Sequence, residues 1–275
     1  IRAAGTILAA LELAPADPSD VTYILLSETD GQVLFGRGAD SEQPSDDDPE
    51  YATNHEVTPL ARYLADHLDH ARVEYWTKVI DRGVAEGRYW PLPVTAPGYP
   101  RSLREAWDAP PLLFCSVPKT ETTPSSMPRP NLQEALGAGL SLAIVGSRET
   151  SHQVIESTER VASELAETGV TIVSGLAAGI DAAAHRGALA SCGYTIAVMG
   201  TGIDSVFPQA NRVLAADIAR VGALVSQFAP LAPRTRTSFL RRNHVIAAMS
   251  QASLVMDGEE RSGSRYEVEQ AIVYG

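Results

Sequence analysis

Short apolar runs alternate with helical segments along the second half of the chain. The first two runs stop at a glycine or at a serine–glycine pair, as strands buried on both faces of a sheet do. Between the runs, apolar residues recur at helical spacing beside glutamates, so one side of a helix faces the sheet and the other faces water. Because crossovers between parallel strands are right-handed, this alternation predicts a doubly wound, mainly parallel sheet. The predicted strands are Leu142–Val145, Val170–Val173, Thr195–Met199, Ala223–Ser226 and Ser253–Met256, and the later helices are Gln209–Val221 and Leu240–Ser250.

Small residues follow the predicted strands, at the edge where ligands of a doubly wound sheet bind. The segment Ser174–Asp181 turns from a strand into a helix and contains Gly175 and Gly179, so its backbone amides can face an anion. It has neither the Gly-Lys-Ser/Thr of a P-loop nor the GxGxxG spacing of a dinucleotide site. We therefore expect a phosphate-binding edge without a resident cofactor. Its other small residues are Gly146, Ser147, Gly200, Gly202, Ser262 and Gly263.

The first half of the chain has a less regular pattern. Residues 116–131 are rich in Pro, Ser and Thr and predict a linker. The expected organisation is a smaller mixed α/β N-terminal region at 1–115, followed by the doubly wound domain at 132–275. Within the N-terminal region we predict a helix at Ile1–Leu13, a β-hairpin in which Val21–Leu26 and Gln32–Phe35 flank Asp30-Gly31, an acidic loop at 36–58 and a helix from Pro59 to Gly87.

Composition and charge narrow the class of protein. The chain has 275 residues, 44% of them hydrophobic and 20% charged, which is ordinary globular composition. It contains no apolar run of membrane-spanning length and only two cysteines, so we expect a cytoplasmic protein outside the membrane. The initial Ile1 and the apolar end at Gly275 lead us to expect that the natural chain extends further. The net charge of −12 argues against non-specific coating of nucleic acid.

The acidity lies mostly in the N-terminal part. From Leu140 onward there are 11 Arg, no Lys and 13 acidic residues, a balance close to neutral. Within this part, Pro233–Asn243 contains no acid and combines Arg234, Arg236, Arg241 and Arg242 with Phe239. Cations beside an aromatic ring suit phosphates and a stacked base, although Phe239 could equally belong to the core.

Several other groups have two interpretations. Arg148, directly after the first predicted strand, can bind phosphate bidentately or form a structural salt bridge. Arg212 opens a helix, where its cation opposes the dipole, so it has either an anion partner or a surface ion pair. Asp181 and His185, four residues apart at a helix start, are an acid/base pair or a structural pair that fixes the turn.

Metal binding and covalent catalysis have little support. The acids Asp46–Asp48 suit a solvated loop better than a metal site, and Asp66-His67 and Asp69-His70 suit a solvated helix face, because no further ligands accompany them. Cys115 and Cys192 lack a Cys–His arrangement, and no GxSxG motif occurs. We therefore predict neither a metal site nor catalytic residues.

Taken together, the motifs resemble the DNA-processing protein A family, also called Smf. The resemblance covers Tyr99 to Ser264 and departs from the family pattern at Leu240, at His244 and after Ser264. The motifs that carry it are Gly146-Ser147-Arg148, Ser174–His185, Ala197–Asp204, Phe207-Pro208 with Asn211-Arg212, Phe239 with Arg241-Arg242-Asn243, and Glu260–Ser264.

The resemblance implies an extended Rossmann-like domain that dimerises, binds single-stranded DNA at the strand ends and helps to load the RecA recombinase during natural transformation, without catalytic turnover. It implies DNA-phosphate contacts by Arg148 and Arg212, in a pocket shaped by Gly146, Ser174, Gly175 and Gly179. The residues expected to bind DNA are then Gly146, Ser147, Arg148, Ser174, Gly175, Gly179, Arg212, Phe239, Arg241, Arg242 and Asn243, and those expected to shape the pocket are Asp181, His185, Gly200, Gly202, Ser262 and Gly263.

Two other functions remain open. One is a sensor of a small nucleotide derivative, because an acidic chain is better suited to bind a compact nucleotide than a nucleic-acid polymer. The other is a nucleotide phosphoribohydrolase, but the Pro-Gly-Gly-x-Gly-Thr-x-x-Glu signature that would supply its acid/base glutamate is absent.

Overall fold

The predicted parallel strands form the centre of the sheet in a computed structural model of the chain. The structure describes residues 1–13, 17–36, 57–116, 132–137 and 140–257. All five strands predicted from the sequence are present, and their ends differ from the prediction by no more than one residue. The strands in chain order are β1 (Tyr89–Pro93), β2 (Leu112–Ser116), β3 (Ser141–Gly146), β4 (Thr171–Ser174), β5 (Thr195–Met199), β6 (Ala223–Ser226) and β7 (Ala252–Asp257).

The sheet has the order β1-β2-β6-β5-β4-β3-β7. The strands from β3 to β7 pair in parallel, which confirms the doubly wound α/β prediction, whereas β2 pairs antiparallel with β6 and β1 pairs antiparallel with β2. Strand β1, at the outer edge, contains Pro91 and Pro93 and is not predicted from the sequence. The sheet thus includes strands from both sides of the linker predicted at 116–131. The division of the chain into 1–115 and 132–275 stays a prediction.

Helices cover both faces of the sheet. The described helices are α1 (Arg2–Leu11), α2 (Pro18–Leu26), α3 (Glu28–Phe35), α4 (Pro59–His67), α5 (His70–Ala85), α6 (Arg101–Glu105), α7 (Leu132–Gly137), α8 (His152–Glu167), α9 (Ile180–Ala190), α10 (Arg212–Val221) and α11 (Arg236–Ala248). A 3₁₀ turn at Gln209–Asn211 precedes α10. None of these helices is long and apolar enough to cross a membrane.

Alternate residues of the strands separate the two faces, as the period of a strand requires. Ile144 and Ile172 pack with apolar residues of α8 and α9. Their chain neighbours Val145 and Val173 belong to a second, larger cluster that includes residues of α11 and of the N-terminal helices. The N-terminal region and α11 therefore share one apolar core.

The predicted hairpin at 21–35 is wrong, because this segment forms helices α2 and α3. The side chain of Asp17 caps α2 by accepting a 2.9 Å hydrogen bond from the amide of Ser19, and Ser27 caps α3 at the amide of Asp30. Gly31 lies inside α3 instead of in a turn. Two capped helix starts outweigh the Asp-Gly turn signal, since each cap satisfies amides that a helix otherwise leaves unpaired.

The single helix predicted from Pro59 to Gly87 is also wrong, because α4 ends at His67 and α5 begins at His70. Asp69 caps α5 through a 2.8 Å hydrogen bond from the amide of Ala71. The ring of His67 stacks on that of Tyr63 with centroids 4.1 Å apart, and His67 Nδ1 forms a hydrogen bond with the backbone carbonyl of Tyr63. Within the described ranges, no three His, Cys, Asp or Glu side chains are grouped as metal ligands would be.

Candidate nucleic-acid interface

The loop after β3 presents Arg148 to solvent on a fixed backbone. The amide of Ser147 donates to the carbonyl of Asp257 at 2.9 Å, and its carbonyl accepts from the amide of Ile180 at 3.2 Å. The Ser147 hydroxyl donates to the carbonyl of Glu149 at 2.6 Å, so it is used within the loop. A Cβ at Gly146 would lie 2.7 Å from the carbonyl oxygen of Asp257, which explains the glycine at this position.

The loop after β4, residues 174–179, is held in place by contacts along its length. Asn211 Nδ2 donates to the carbonyls of Leu176 at 2.9 Å and Ala177 at 3.2 Å, so the start of α10 is fixed to this loop. Gly179 has a φ of +75°, and a Cβ there would lie 2.3 Å from the carbonyl oxygen of Ser147. The buried Ser174 hydroxyl donates to the carbonyl of Ile144 at 2.6 Å and supports the loop from inside the protein.

Arg242 lies beneath this loop and is 4% exposed. Its Nη1 donates to the carbonyl of Gly175 and, at 2.8 Å, to that of Val198, and its Nε donates to Asn243 Oδ1 at 2.9 Å. A Cβ at Gly175 would meet the Arg242 guanidinium, so the glycine makes room for this contact. The structure therefore places Arg242 and Asn243 under the site, where they support it, instead of on the DNA-binding surface that the sequence predicts. The reason is that both lie on the buried side of α11.

Asp181 and His185 do not bond each other. Asp181, buried beside Arg242, accepts a 3.2 Å hydrogen bond from the amide of Ala177. Burial raises the pKa of its carboxyl group, while the Arg242 guanidinium opposes that rise. His185 Nδ1 lies 2.8 Å from the hydroxyl of Thr195. Neither the acid/base pair nor the direct structural pair is formed, because each side chain has another partner.

His185 is fully buried and neutral. The Thr195 hydroxyl donates to the carbonyl of Ile172 at 2.8 Å, so it accepts from His185 and fixes the proton on Nδ1. Burial, aided by Arg242 and Arg186, lowers the pKa of His185 to about 3. This histidine thus joins α9 to the sheet and does not face the site.

Exposed aromatic and cationic side chains lie together above the strand ends. The ring of Phe239 covers Gly200, where a Cβ would come within 2.4 Å of it. Phe239 meets Phe207 edge to face, with ring centroids 5.9 Å apart. The guanidinium of Arg148 lies 5.7 Å from the centroid of Phe239, and that of Arg234 lies 4.1 Å from the centroid of Phe207. We call Arg148, Phe239, Phe207 and Arg234 the aromatic–arginine strip.

Within the described residues, no ion pair neutralises the cations around the strip. Arg148, Arg212, Arg234 and Arg236 are exposed, and none forms an ion pair within the described part of the chain. Arg212 begins α10, next to the asparagine that holds loop 174–179. The carboxylate of Asp257 accepts a hydrogen bond from the hydroxyl of Thr150. Exposed arginines are therefore available to a phosphate at this edge, although the chain as a whole has a net charge of −12.

Arg241 lies away from the strip. Its guanidinium is 5.9 Å from the ring of Phe228, and it lines a cleft of about 170 Å³ between α11 and the N-terminal region together with Asp17, Trp107 and His244. The predicted pocket-shaping Gly202 fits closely against the carbonyls of Ala229 and Pro230, where a Cβ would have no room. Ser262 and Gly263 lie outside the described residues.

Phe207 is not among the DNA-binding residues predicted from the sequence, and Arg234 is predicted only as part of the acid-free basic stretch. A signal was present in both cases. Phe207 follows the glycines at the end of β5, and Arg234 lies in the acid-free stretch before α11. Their contact depends on tertiary structure, because 26 residues separate them and no local pattern pairs them.

The parallel strands and the ligand-accessible loops at their carboxyl edge define a Rossmann-like α/β protein. The sequence model of the family described as DNA recombination-mediator protein A matches residues 130–275, which is more than half of the chain. The chain belongs to this family, and the predicted resemblance is confirmed.

Similar proteins agree with this assignment. Protein Smf of Synechocystis sp. is 38% identical over 61% of this chain and 39% of its own length. DNA processing protein DprA of Streptococcus pneumoniae is 38% identical over 64% of this chain and 57% of its own length. The chain thus spans 39% and 57% of the length of these two curated relatives.

Two solved structures of proteins named DNA processing protein A have folds similar to that of this chain. The DNA processing protein A of Streptococcus pneumoniae matches with a TM-score of 0.64 and 27% identity, over 99% of this chain and 79% of its own. The protein from Helicobacter pylori, described for its single-stranded DNA binding mode, matches with a TM-score of 0.57 and 28% identity, over 68% of this chain and 77% of its own.

Proposed function

We propose that this chain binds single-stranded DNA at the carboxyl edge of its parallel strands and acts as a recombination mediator without catalytic turnover. The observation that carries the proposal is the set of exposed arginines that form no ion pair with any described residue, beside two exposed or half-exposed aromatic rings. A polymer of phosphates and unstacked bases is the ligand that such a surface suits.

The phosphates are assigned to the cationic rim. Arg148 and Arg212 flank loop 174–179, whose glycines let it pack closely against the Arg242 guanidinium and the Ser147 carbonyl. The loop leads into α9, whose positive dipole end adds to the attraction for an anion. Arg242 and Asp181 contribute indirectly, because they fix the loop from below.

The bases are assigned to Phe239. Its ring rests on Gly200, and the guanidinium groups of Arg148 and Arg242 lie 5.7 Å and 6.0 Å from its centroid. Stacking on such a fixed ring requires a base that has left a duplex stack, and this selects single strands over double strands.

Family membership supports a wider role. We propose that the chain acts inside the cell and hands the bound strand to the RecA recombinase during DNA uptake. Two copies that pair would present two sites to one strand, and the second contact would be strengthened by effective concentration.

The test is fluorescence anisotropy of a labelled single-stranded oligonucleotide at low and moderate salt, with duplex DNA as competitor. Removing one phosphate contact by Arg148→Ala should weaken binding and reduce the slope of log K against log salt by about 0.7. Arg220→Ala is the matched control, because it removes another exposed arginine, at the far end of α10. An unchanged slope in Arg148→Ala would contradict the proposal.

The same assay separates the other functions. Absence of oligonucleotide binding at low salt, together with calorimetric binding of a nucleoside monophosphate, would replace the proposal by that of a nucleotide sensor. Release of free base from that nucleotide would indicate a phosphoribohydrolase.

A further inference from the structure

We propose that Phe207 and Arg234 form a second base-binding position next to Phe239, so that the smallest ligand that fills the site is two consecutive nucleotides. The inference rests on the proposed binding of single-stranded DNA. It assigns a role to the half of the aromatic–arginine strip that the phosphate and base contacts described above do not use.

The spacing of the rings suits neighbouring bases. Their centroids are 5.9 Å apart and their planes meet at 60°. Neighbouring bases of a stacked strand are about 3.4 Å apart, and splayed bases of a single strand lie further apart. One base on each ring is therefore compatible with an unstacked strand, whereas a stacked duplex offers no such pair of faces.

Phe207 is accessible, with 36% of its surface exposed. In the structure the Arg234 guanidinium covers it at 4.1 Å, and both residues are exposed to solvent. Such a cation–π contact at an exposed site strengthens an association by about 2- to 5-fold. A base stacked on an aromatic ring contributes roughly 5- to 100-fold.

The stronger contact displaces the weaker one. A base that takes the ring of Phe207 releases the guanidinium of Arg234, which has no ion-pair partner in the described part of the chain. The released cation is then beside the phosphate that joins this base to the one on Phe239. Phe207 thus supplies the stacking face and Arg234 supplies the counter-charge of the same nucleotide.

The experiment is competition of thymidine monophosphate and of the thymidine dinucleotide, trinucleotide and hexanucleotide against a labelled long oligothymidylate. We expect the wild-type chain to gain roughly 5- to 100-fold in affinity from the mononucleotide to the dinucleotide. Phe207→Leu should lose most of this gain, whereas Phe207→Tyr should retain it. Arg234→Ala should keep the stacking gain and lower the salt slope of the dinucleotide by about 0.7.

Phe228→Leu is the matched control, because Phe228 also lies under an arginine but outside the strip. Circular dichroism establishes that each variant is folded. An equal gain in Phe207→Leu and wild type, with binding still weakened by Arg148→Ala, would overturn the second position and leave the proposed function intact. Failure of the wild-type chain to bind any of the oligonucleotides would overturn both.

Discussion

At the scale of single residues, Arg241 and Arg242 are neighbours in the chain with opposite environments. Arg242 is buried against Asp181 and two backbone carbonyls, while Arg241 is exposed at the edge of a cleft. The sequence Arg-Arg-Asn assigns both to DNA. Helical geometry separates them, because consecutive side chains on a helix point in directions about 100° apart.

Replacing the two arginines by methionine should therefore have unequal effects on stability. We expect Arg242→Met to lower the free energy of unfolding by about 3–5 kcal/mol, because it removes the cation beside the buried Asp181 carboxyl group and the donor to two buried carbonyls. Arg241→Met should change it by no more than about 0.5 kcal/mol. Urea denaturation followed by circular dichroism measures both, and equal losses would show that Arg242 is not the buried support described here.

His185 makes stability depend on pH. The unfolded chain binds a proton at this histidine as the pH falls through 6.5, whereas burial keeps the folded form neutral until the pH reaches about 3. The free energy of unfolding therefore falls as the pH drops below 6.5. This group alone should remove about 1.4 kcal/mol between about pH 7.5 and about pH 5.5.

The matched variant is His185→Asn, which keeps a donor for Thr195 but does not titrate. Urea denaturation at the two pH values should show a smaller loss in the variant than in the wild type, whatever the variant's overall stability. The same loss in both proteins would contradict a neutral buried histidine.

At the scale of elements, loop 174–179 is the part of the site most sensitive to a single methyl group. Gly179→Ala places a Cβ against the Ser147 carbonyl, so we expect the loop to shift and DNA binding to weaken by roughly tenfold or more. Gly169 also has a positive φ, of +88°, but nothing lies within 4 Å of a Cβ there. Gly169→Ala should cost about 1–2 kcal/mol of stability and leave DNA binding unchanged.

Anisotropy and urea denaturation of the two alanine variants separate these effects. If backbone strain were the only effect of these substitutions, Gly179→Ala and Gly169→Ala would give the same result in both assays. Retention of full DNA affinity by Gly179→Ala would remove the loop from the binding site.

The elements predicted correctly are those whose signal is local. The pattern of an apolar run that stops at glycine, followed by a helix with one apolar side, predicts β3 to β7 from the sequence alone. The signals for α2 and α3 are equally local, but an Asp-Gly turn and helix caps compete in the same segment, and the caps decide it. β2 differs, because its pairing joins positions more than a hundred residues apart, as in the bond from the amide of Leu224 to Ser116 Oγ at 2.8 Å.

The site divides in the same way. Arg148 and the glycines are predicted because they directly follow strands. Which of the α11 arginines faces the ligand, and that Phe207 meets Phe239, depend on how α11 and the turn after β5 pack together, and no spacing in the sequence records that.

At the scale of the whole molecule, the shared sheet and core should make the described parts unfold together. All three tryptophans, Trp76, Trp90 and Trp107, precede the predicted linker, whereas helices lie on both sides of it. We expect tryptophan fluorescence and far-ultraviolet circular dichroism to give one coincident urea transition, which is the mark of a single cooperative unit. Separate midpoints would show that 1–115 and 132–275 unfold independently.

The position of β1 has a consequence for solubility. A parallel core that ended at β6 would offer a row of free amides and carbonyls to the strands of other molecules. The N-terminal region covers that row with β2 and then β1, where Pro91 and Pro93 have no amide hydrogen to donate. The outermost strand on this side is thereby a poor template for a further strand, and copies of the chain are protected there from joining edge to edge.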